Sequence, residues 1–218
     1  MVDIDAVIVA AGTGTRFKGY KQFYTIGNKP ILIYTLQTLQ LVEPIKRMII
    51  VVPKGMSAKV RQMVKRFHIG KVGGIVTGGK RRIDSVRSGL TLVKTKKVII
   101  HDAVRPLPSH RLIQRLISAM KKYPAVVPVL PVHDTIKEVA GGYVKQTIPR
   151  RSLYLSQTPQ GFDTRLLKKV LSRPPDLDFT DEAALLESVG IRVRVISGEA
   201  TNIKVTRRSD LKILRKVL

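Results

Sequence analysis

The sequence predicts an α/β protein with a mostly parallel central sheet and helices on both faces. Short β-branched runs alternate with segments of helical period along the chain, as in repeated β-α units. The runs are apolar at nearly every position rather than at alternate ones, the pattern of strands buried on both faces. The composition, 44% hydrophobic and 25% charged, is that of a globular chain able to cover such a sheet. With 218 residues, one domain covering 1–218 is expected. A domain of this size buries about 70% of its unfolded-chain surface and needs no disulfide or metal staple.

Strands are predicted over residues 4–10, 48–52, 74–76, 98–101, 125–129 and 191–196. Helices are predicted over 30–40, with Pro30 at the first position, 57–67, 81–93, and 109–123 with Ser109 as N-cap. Later helices are expected to begin near Asp163, Thr180 and Ser209, each a good capping residue. Residues 133–154 break the rhythm: two β-prone runs flank Gly141-Gly142, which reads as a hairpin. No helical segment is available to cover it, so it is expected to project as an arm that packs on another subunit, an ordinary surface hairpin being the alternative.

The chain has no Cys, which excludes thiolate zinc sites, Cys nucleophiles and iron–sulfur clusters. Its N-terminus lacks the features of a signal or transit peptide, and no apolar run approaches a bilayer span, so a soluble cytoplasmic protein is expected. Against 15 Asp and Glu stand 40 Lys and Arg, a formal charge of +25. Nucleic acid, an anionic membrane surface or phosphorylated substrates would all reward that field. The excess is spread through the chain: residues 1–100 carry 19 basic and 4 acidic side chains, and residues 101–218 carry 21 and 11.

The first strand runs into Ala10-Ala11-Gly12-Thr13-Gly14-Thr15-Arg16, followed by Lys21-Gln22. Glycines at the carboxyl edge of a strand let backbone N–H groups approach a phosphate. The dinucleotide fingerprint is excluded because its third glycine would fall at Phe17. Arg16 and Lys21 instead suit a nucleoside triphosphate, with an incidental basic turn as the bland alternative. A second loop, Gly78-Gly79-Lys80-Arg81, fails as a P-loop because Arg81 stands where Ser or Thr should hold magnesium. It still lies between a strand and a helix at the same edge, with Ser85 one turn on, and either lines a pocket or makes a tight turn. Asp102, closing the strand before Ala103-Val104-Arg105, is placed to help hold magnesium or to pair with Arg105. His68, His101, His110 and His133 show no metal-ligand spacing. By periodicity alone, residues 157–162 read as a loop, 180–183 as a helix start and 201–206 as a strand end.

In this order, Ala10-Ala11-Gly12 with Arg16 and Lys21-Gln22, Gly78-Gly79 with Asp84-Ser85-Val86, His101-Asp102-Ala103-Val104-Arg105-Pro106, Asp134-Thr135, Gln157-Thr158-Pro159-Gln160, Thr180-Asp181-Glu182-Ala183 and Asn202-Ile203-Lys204-Val205-Thr206 resemble the 2-C-methyl-D-erythritol 4-phosphate cytidylyltransferases over nearly the whole chain. The resemblance implies a Rossmann-like three-layer nucleotidyltransferase fold, use of CTP and a sugar-alcohol phosphate, dependence on Mg2+, and a homodimer with interlocked arms. It also implies site roles. Arg16 and Lys21 would stabilise the transition state, while Arg150 and Lys204 position the sugar phosphate, with Thr135 and Arg105 reaching it from the arm and loop. Ala10, Ala11, Gly12, Gly14, Gly79, Lys80 and Ser85 would contact the nucleotide, and Asp102 and Ala103 fall at its ribose and metal side. Two departures stand out: only four residues separate Arg16 from Lys21, and Lys80 replaces a commonly acidic residue. Ribitol 5-phosphate and other pentitol-phosphate cytidylyltransferases share much of the pattern. A nucleic-acid-binding protein is the reading from a different class, opposed by the absence of a helix-turn-helix or aromatic stacking set. Neither a specific nucleic acid nor a membrane is expected as a partner.

Overall fold

Apolar side chains at every position of residues 4–9 except Asp5 put the first strand at the centre of the molecule. The computed structural model describes residues 2–14, 17, 19–172 and 179–217. In chain order it contains β1 (Ile4–Val9), a 3-10 turn (Lys21–Phe23), β2 (Thr25–Ile26), β3 (Lys29–Pro30), α1 (Ile31–Gln40), β4 (Ile45–Val52), α2 (Ser57–Arg66), β5 (Val72–Thr77), α3 (Arg82–Leu90), β6 (Lys97–Asp102), α4 (His110–Met120), β7 (Ala125–Pro131), β8 (Ile136–Ala140), β9 (Tyr143–Ile148), β10 (Tyr154–Ser156), β11 (Gln160–Asp163), α5 (Thr164–Leu171), α6 (Glu182–Ser188), β12 (Arg194–Ser197) and α7 (Asp210–Val217). The central sheet has the order β10-β7-β11-β6-β1-β4-β5, with β12 also on β7. Its β6-β1-β4-β5 portion and the β12–β7 pair are parallel, whereas β10 and β11 run antiparallel to their neighbours.

Both faces are covered, as the apolar strands require. On one face Leu36 of α1, Val60 of α2, and Ile113 and Leu116 of α4 pack on Ile8, Ile50 and Ile99. On the other, Val86 of α3, Leu167 of α5 and Leu186 of α6 pack on Val7, Ile49, Ile100 and Phe162. The exception in β1, Asp5, is fully buried but compensated: Arg47 Nη2 reaches its carboxylate at 2.5 Å and the Lys94 backbone N–H at 2.7 Å. A buried carboxylate is tolerable only with such partners.

Ser109 caps α4 by accepting the Leu112 N–H at 3.0 Å, and Asp163 caps α5 in the same way from Leu166. Pro30 proves to be the extended N-cap of α1, not its first helical residue, and α6 is capped by Asp181 and starts at Glu182. Two corrections bear on the site. Residues 160–162, expected in a loop, belong instead to the buried strand β11, where Gln160 Nε2 donates to Asp181 and Ser156 and Gly161 lets β11 lie against Met120. Residues 201–206, expected to end a strand, form no strand; the segment is held instead by buried Asn202 and Val205.

The hairpin is present as β8 and β9, a two-stranded sheet of its own that pairs with no strand of the central sheet. Gly141 and Gly142 both have positive φ, +57° and +84°, which a tight two-residue hairpin turn demands. Val139, Tyr143 and Val144 on it are exposed. Among the described residues, no helix is long and apolar enough to cross a membrane.

Candidate active site

Three parallel strands of the sheet, the neighbours β6 and β1 and, beyond β4, β5, deliver the site. A cleft of about 350 Å³ opens at the carboxyl edge of β1, β5 and β6, where open α/β sheets place their ligands. Its lining includes Ala10, Ala11 and Gly12 after β1, Gly79 to Arg82 and Ser85 after β5, Asp102 at the end of β6, and Lys21 and Lys204. Nine of the residues expected from the sequence therefore meet in one place. Gly14, with φ +66°, turns the loop just outside the lining. Arg16 lies outside the described residues.

The strand-to-helix loop is built for close approach. A Cβ on Gly78 would sit 2.4 Å from the Cβ of Ala11 and 2.6 Å from Ser85 Oγ, and one on Gly79 would sit 2.4 Å from the Cβ of Asp84. Neither position has room for a side chain, so peptide groups form this wall. Asp84 fixes the start of α3 by accepting the Arg81 backbone N–H at 3.2 Å and the Arg81 guanidinium at 3.0 Å, and the Arg81 hydrogen bond holds its carboxyl below the usual range.

Opposite this wall, Gln22, buried, donates from Nε2 to Ala10 O at 2.6 Å and to Gly12 O at 3.1 Å. One amide thus ties the turn carrying Lys21 to the end of β1, which sets where Lys21 enters the cleft.

Asp102 is the hub of the electrostatics. Lys204 Nζ stands 2.7 Å from one carboxylate oxygen and Arg82 Nη2 3.2 Å from the other, with Arg105 Nε at 4.0 Å. Burial alone would raise this carboxyl, but Arg82 and Lys204 outweigh it and hold the group far below the carboxylate range. Arg82 in turn pairs with Glu182, and although burial opposes its charge, Glu182 and Asp102 together keep it more firmly protonated than an ordinary arginine.

Lys204 reaches Asp102 because a buried polar scaffold holds its segment. Asn202 donates to Thr158 O at 2.8 Å, and its own carbonyl accepts from Arg105 Nη1 at 2.8 Å. Gln157 donates to Glu199 O at 2.8 Å, and the Val205 N–H reaches Val104 O at 2.9 Å. Arg105, also donating to Ser156 O at 3.3 Å, is therefore spent on the scaffold and does not line the cleft, nor does the fully buried Ala103. Thr135 and Arg150 sit exposed on the arm, where Arg150 donates to His133 O, and neither lines the cleft. Sequence reasoning passed over Gln22 and Arg82, although Gln22 follows Lys21 and Arg82 precedes Ser85 by less than one helical turn.

His101 completes the scaffold. Its Nε2 faces Arg105 O at 2.9 Å, a carbonyl that can only accept, so Nε2 carries the proton and Nδ1 accepts from Thr158 Oγ1 at 3.0 Å. Burial pushes the imidazole down to about 4. A folded value below the unfolded 6.5 means that stability is complete above pH 6.5 and is lost as pH falls towards 4. The expected loss is on the order of 3 kcal/mol. Urea unfolding of wild type and His101→Gln at pH 7 and pH 4.5 isolates it as the difference between the two proteins in how far the unfolding free energy falls. Equal falls would exclude a buried neutral imidazole.

Mg2+ fits this donor set in one way. Among the described residues no group of three His, Cys, Asp or Glu could cage a metal, and Asp102 is the carboxylate in the described lining. Mg2+ typically takes one or two carboxylates with substrate phosphates and water, so Asp102 suits an ion carried in by a triphosphate and not a resident one.

A glycine-walled cleft at the carboxyl edge of a parallel sheet, lined among the described residues by several cations and one carboxylate, defines an α/β protein that handles a nucleotide polyphosphate. Residues 4–218 match the family model of 2-C-methyl-D-erythritol 4-phosphate cytidylyltransferase, and the chain belongs to that family. A curated protein of that name from Syntrophus aciditrophicus is 37% identical over 94% of this chain and 92% of its own. Another, from Geobacillus kaustophilus, is 35% identical over 100% of this chain and 97% of its own. Among solved structures, the Thermus thermophilus protein of the same name superposes with a TM-score of 0.84 at 30% identity, over 99% of this chain and 98% of that one. The 4-diphosphocytidyl-2C-methyl-D-erythritol synthase of Anaerococcus prevotii gives 0.85 at 29% identity, over 99% and 96%.

Proposed function

We propose that this chain transfers the cytidylyl group of CTP to 2-C-methyl-D-erythritol 4-phosphate, releasing pyrophosphate and forming 4-diphosphocytidyl-2-C-methyl-D-erythritol for isoprenoid precursor synthesis in the cytoplasm. The observation that carries the reading is the convergence of Lys21, Lys204 and Asp102 on a backbone-walled cleft in a chain matched to this family along its length.

The chemistry needs the residues found there. A phosphate monoester with a second pKa near 6 is mostly dianionic at neutral pH, so the nucleophile requires no general base. The obstacle is charge: one anion attacks the α-phosphorus of another, and negative charge gathers on the transferring group and on the leaving pyrophosphate. Lys21, with Arg16, is assigned to that charge, and Lys204 to the phosphate of the incoming alcohol. Mg2+, held by Asp102 and the nucleotide phosphates, supplies further neutralisation of the triphosphate when bound. Ala10, Ala11, Gly12, Gly79 and Ser85 are assigned to the nucleotide. Lys80 is on the rim and exposed, which favours a contribution from its backbone.

Thr135 and Arg150 reach no site in their own protomer, and the arm that carries them exposes Val139, Tyr143 and Val144. Both facts support a homodimer in which each arm serves its partner's cleft. Sedimentation equilibrium is expected to give twice the chain mass; a monomer at micromolar concentration would remove this part of the reading.

The decisive experiment is pyrophosphate release from CTP and Mg2+ with methylerythritol phosphate, ribitol 5-phosphate or DNA added. Release is expected with the first substrate. Release with ribitol 5-phosphate instead would reassign the substrate, and release with neither would defeat the enzyme reading.

A further inference from the structure

Glu182 belongs to the Thr180-Asp181-Glu182-Ala183 run that periodicity makes only a helix start. Its side chain is 1% exposed and does not line the cleft, yet it contacts Arg82, which does. Arg82 Nη1 meets Glu182 Oε1, and Arg82 Nη2 meets Asp102 Oδ1 at 3.2 Å, while Asp102 Oδ2 meets Lys204 Nζ at 2.7 Å. Four side chains from four segments thus form a line from a buried helix N-terminus to a cation facing the cleft. The anchored end is rigid, because Asp181 caps α6 through the Ala184 N–H at 3.0 Å and also accepts from Gln160 at 2.8 Å and Ser156 at 2.7 Å. The other carboxylate oxygen of Glu182 is buried without a hydrogen-bond partner among the described residues, where Arg82 is its ion-pair partner. A buried acid kept with one oxygen unsatisfied is an arrangement that fold stability alone does not favour.

We propose that Glu182 is a positioning residue for cytidylyl transfer, holding Arg82 so that Arg82 fixes Asp102 and Asp102 fixes Lys204 toward the incoming phosphate. The proposal rests on the assignment of this cleft as the transferase site. Charge makes the role separable from substrate binding. Arg82, Arg105 and Lys204 against Asp102 and Glu182 leave the cluster at +1, and removing the Glu182 charge takes it to +2. Attraction for a polyanion would then be no weaker, but the cations would no longer be fixed where charge develops, and misplacement of about 1 Å costs on the order of 100-fold in rate.

The test is steady-state kinetics of Glu182→Gln with CTP, Mg2+ and methylerythritol phosphate, beside wild type and a thermal melt. The expected result is a kcat lower by about 10- to 100-fold, with the KM for either substrate unchanged within about threefold or lower. A kcat within twofold of wild type overturns the proposal, as does a loss confined to a raised KM. If Glu182→Gln does not fold, the same readings are taken on Glu182→Asp, which keeps the charge but withdraws it by one methylene. A folded Glu182→Asp with unchanged kcat, or with its loss confined to KM, likewise overturns the proposal; an intermediate kcat with unchanged KM supports it. Wild type without activity would instead fail the functional assignment, so the two failures are distinct.

Discussion

Lys21→Ala is expected to lower kcat by about 100-fold or more while leaving the melting temperature near that of wild type. Lys21 opens a three-residue turn whose position is set by its neighbour: Gln22 is buried and bonded to Ala10 O and Gly12 O. The substitution removes a cation and leaves the Gln22 contacts that tie this turn to the end of β1. In the role proposed for Lys21 it answers the additional charge that builds up as the α-phosphorus is attacked, so the loss should appear mainly in kcat. Single-turnover measurement with saturating CTP, together with a melt, checks both halves. Near-normal turnover in a folded Lys21→Ala would remove Lys21 from the chemistry.

Asp102→Ala is expected to be the most damaging substitution for the fold and the activity together. Arg82, Arg105 and Lys204 all lie within 4.0 Å of this carboxylate. Deleting one member of a buried charge cluster leaves the others uncompensated, at a cost of about 3 to 5 kcal/mol. Denaturant unfolding at neutral pH reads that cost, and turnover of the folded fraction reads the displacement of Lys204. The sign of the pH dependence follows from the depressed carboxyl. Its stabilisation is present above the unfolded value near 3.9 and is lost only as pH falls below that value towards the much lower folded one. Wild type should accordingly keep this contribution at pH 4.5, where the His101 contribution is already declining. A destabilisation below about 1 kcal/mol would show that the three cations are adequately solvated without Asp102.

The layers of the fold were legible because the strands near the centre carry their apolar character on both faces, and β1, β4 and β6 appear where the runs placed them. The antiparallel insertion of β11 was not legible. Gln160 and Gly161 look like turn residues until Asp181 and Ser156 are brought to the glutamine and Met120 to the glycine, and these contacts exist only in three dimensions. The same division holds for the site. Residues that act through a local backbone feature, such as Ala10 to Gly12 and Gly79, could be read from a strand followed by glycines. Those that act through distant partners could not: Arg82 looks like one more basic residue in a basic chain, and nothing local says that it spans Asp102 and Glu182, 20 and 100 positions onward. Arg105 shows the converse. Its motif marks it for substrate, while its guanidinium donates to Asn202 O and Ser156 O and so shapes the segment that presents Lys204.

The charge of +25 also changes meaning. Arg82, Lys204 and Arg105 are held by acids or by carbonyls, which fixes their direction. A cation without such a hold adds to the field around the protein and little to the geometry of a reaction.

The close packing at Gly79, which lines the cleft, and at Gly78, packed behind it on Ala11 and Ser85, bears on how such a cleft could be altered, by selection or by design. Where a Cβ would collide with Ala11, Ser85 or Asp84, the surface offered to a ligand consists of amide and carbonyl groups, which are the same for every amino acid. Point substitution there cannot install a new recognition group; it can only push the loop away from the sheet. With this segment in its proposed place at the nucleotide, a change in base preference would have to come from re-aiming it, through its length or through the Asp84 contact that anchors it. This part of the cleft is accordingly expected to resist libraries that randomise single positions and to respond to insertions and deletions between β5 and α3.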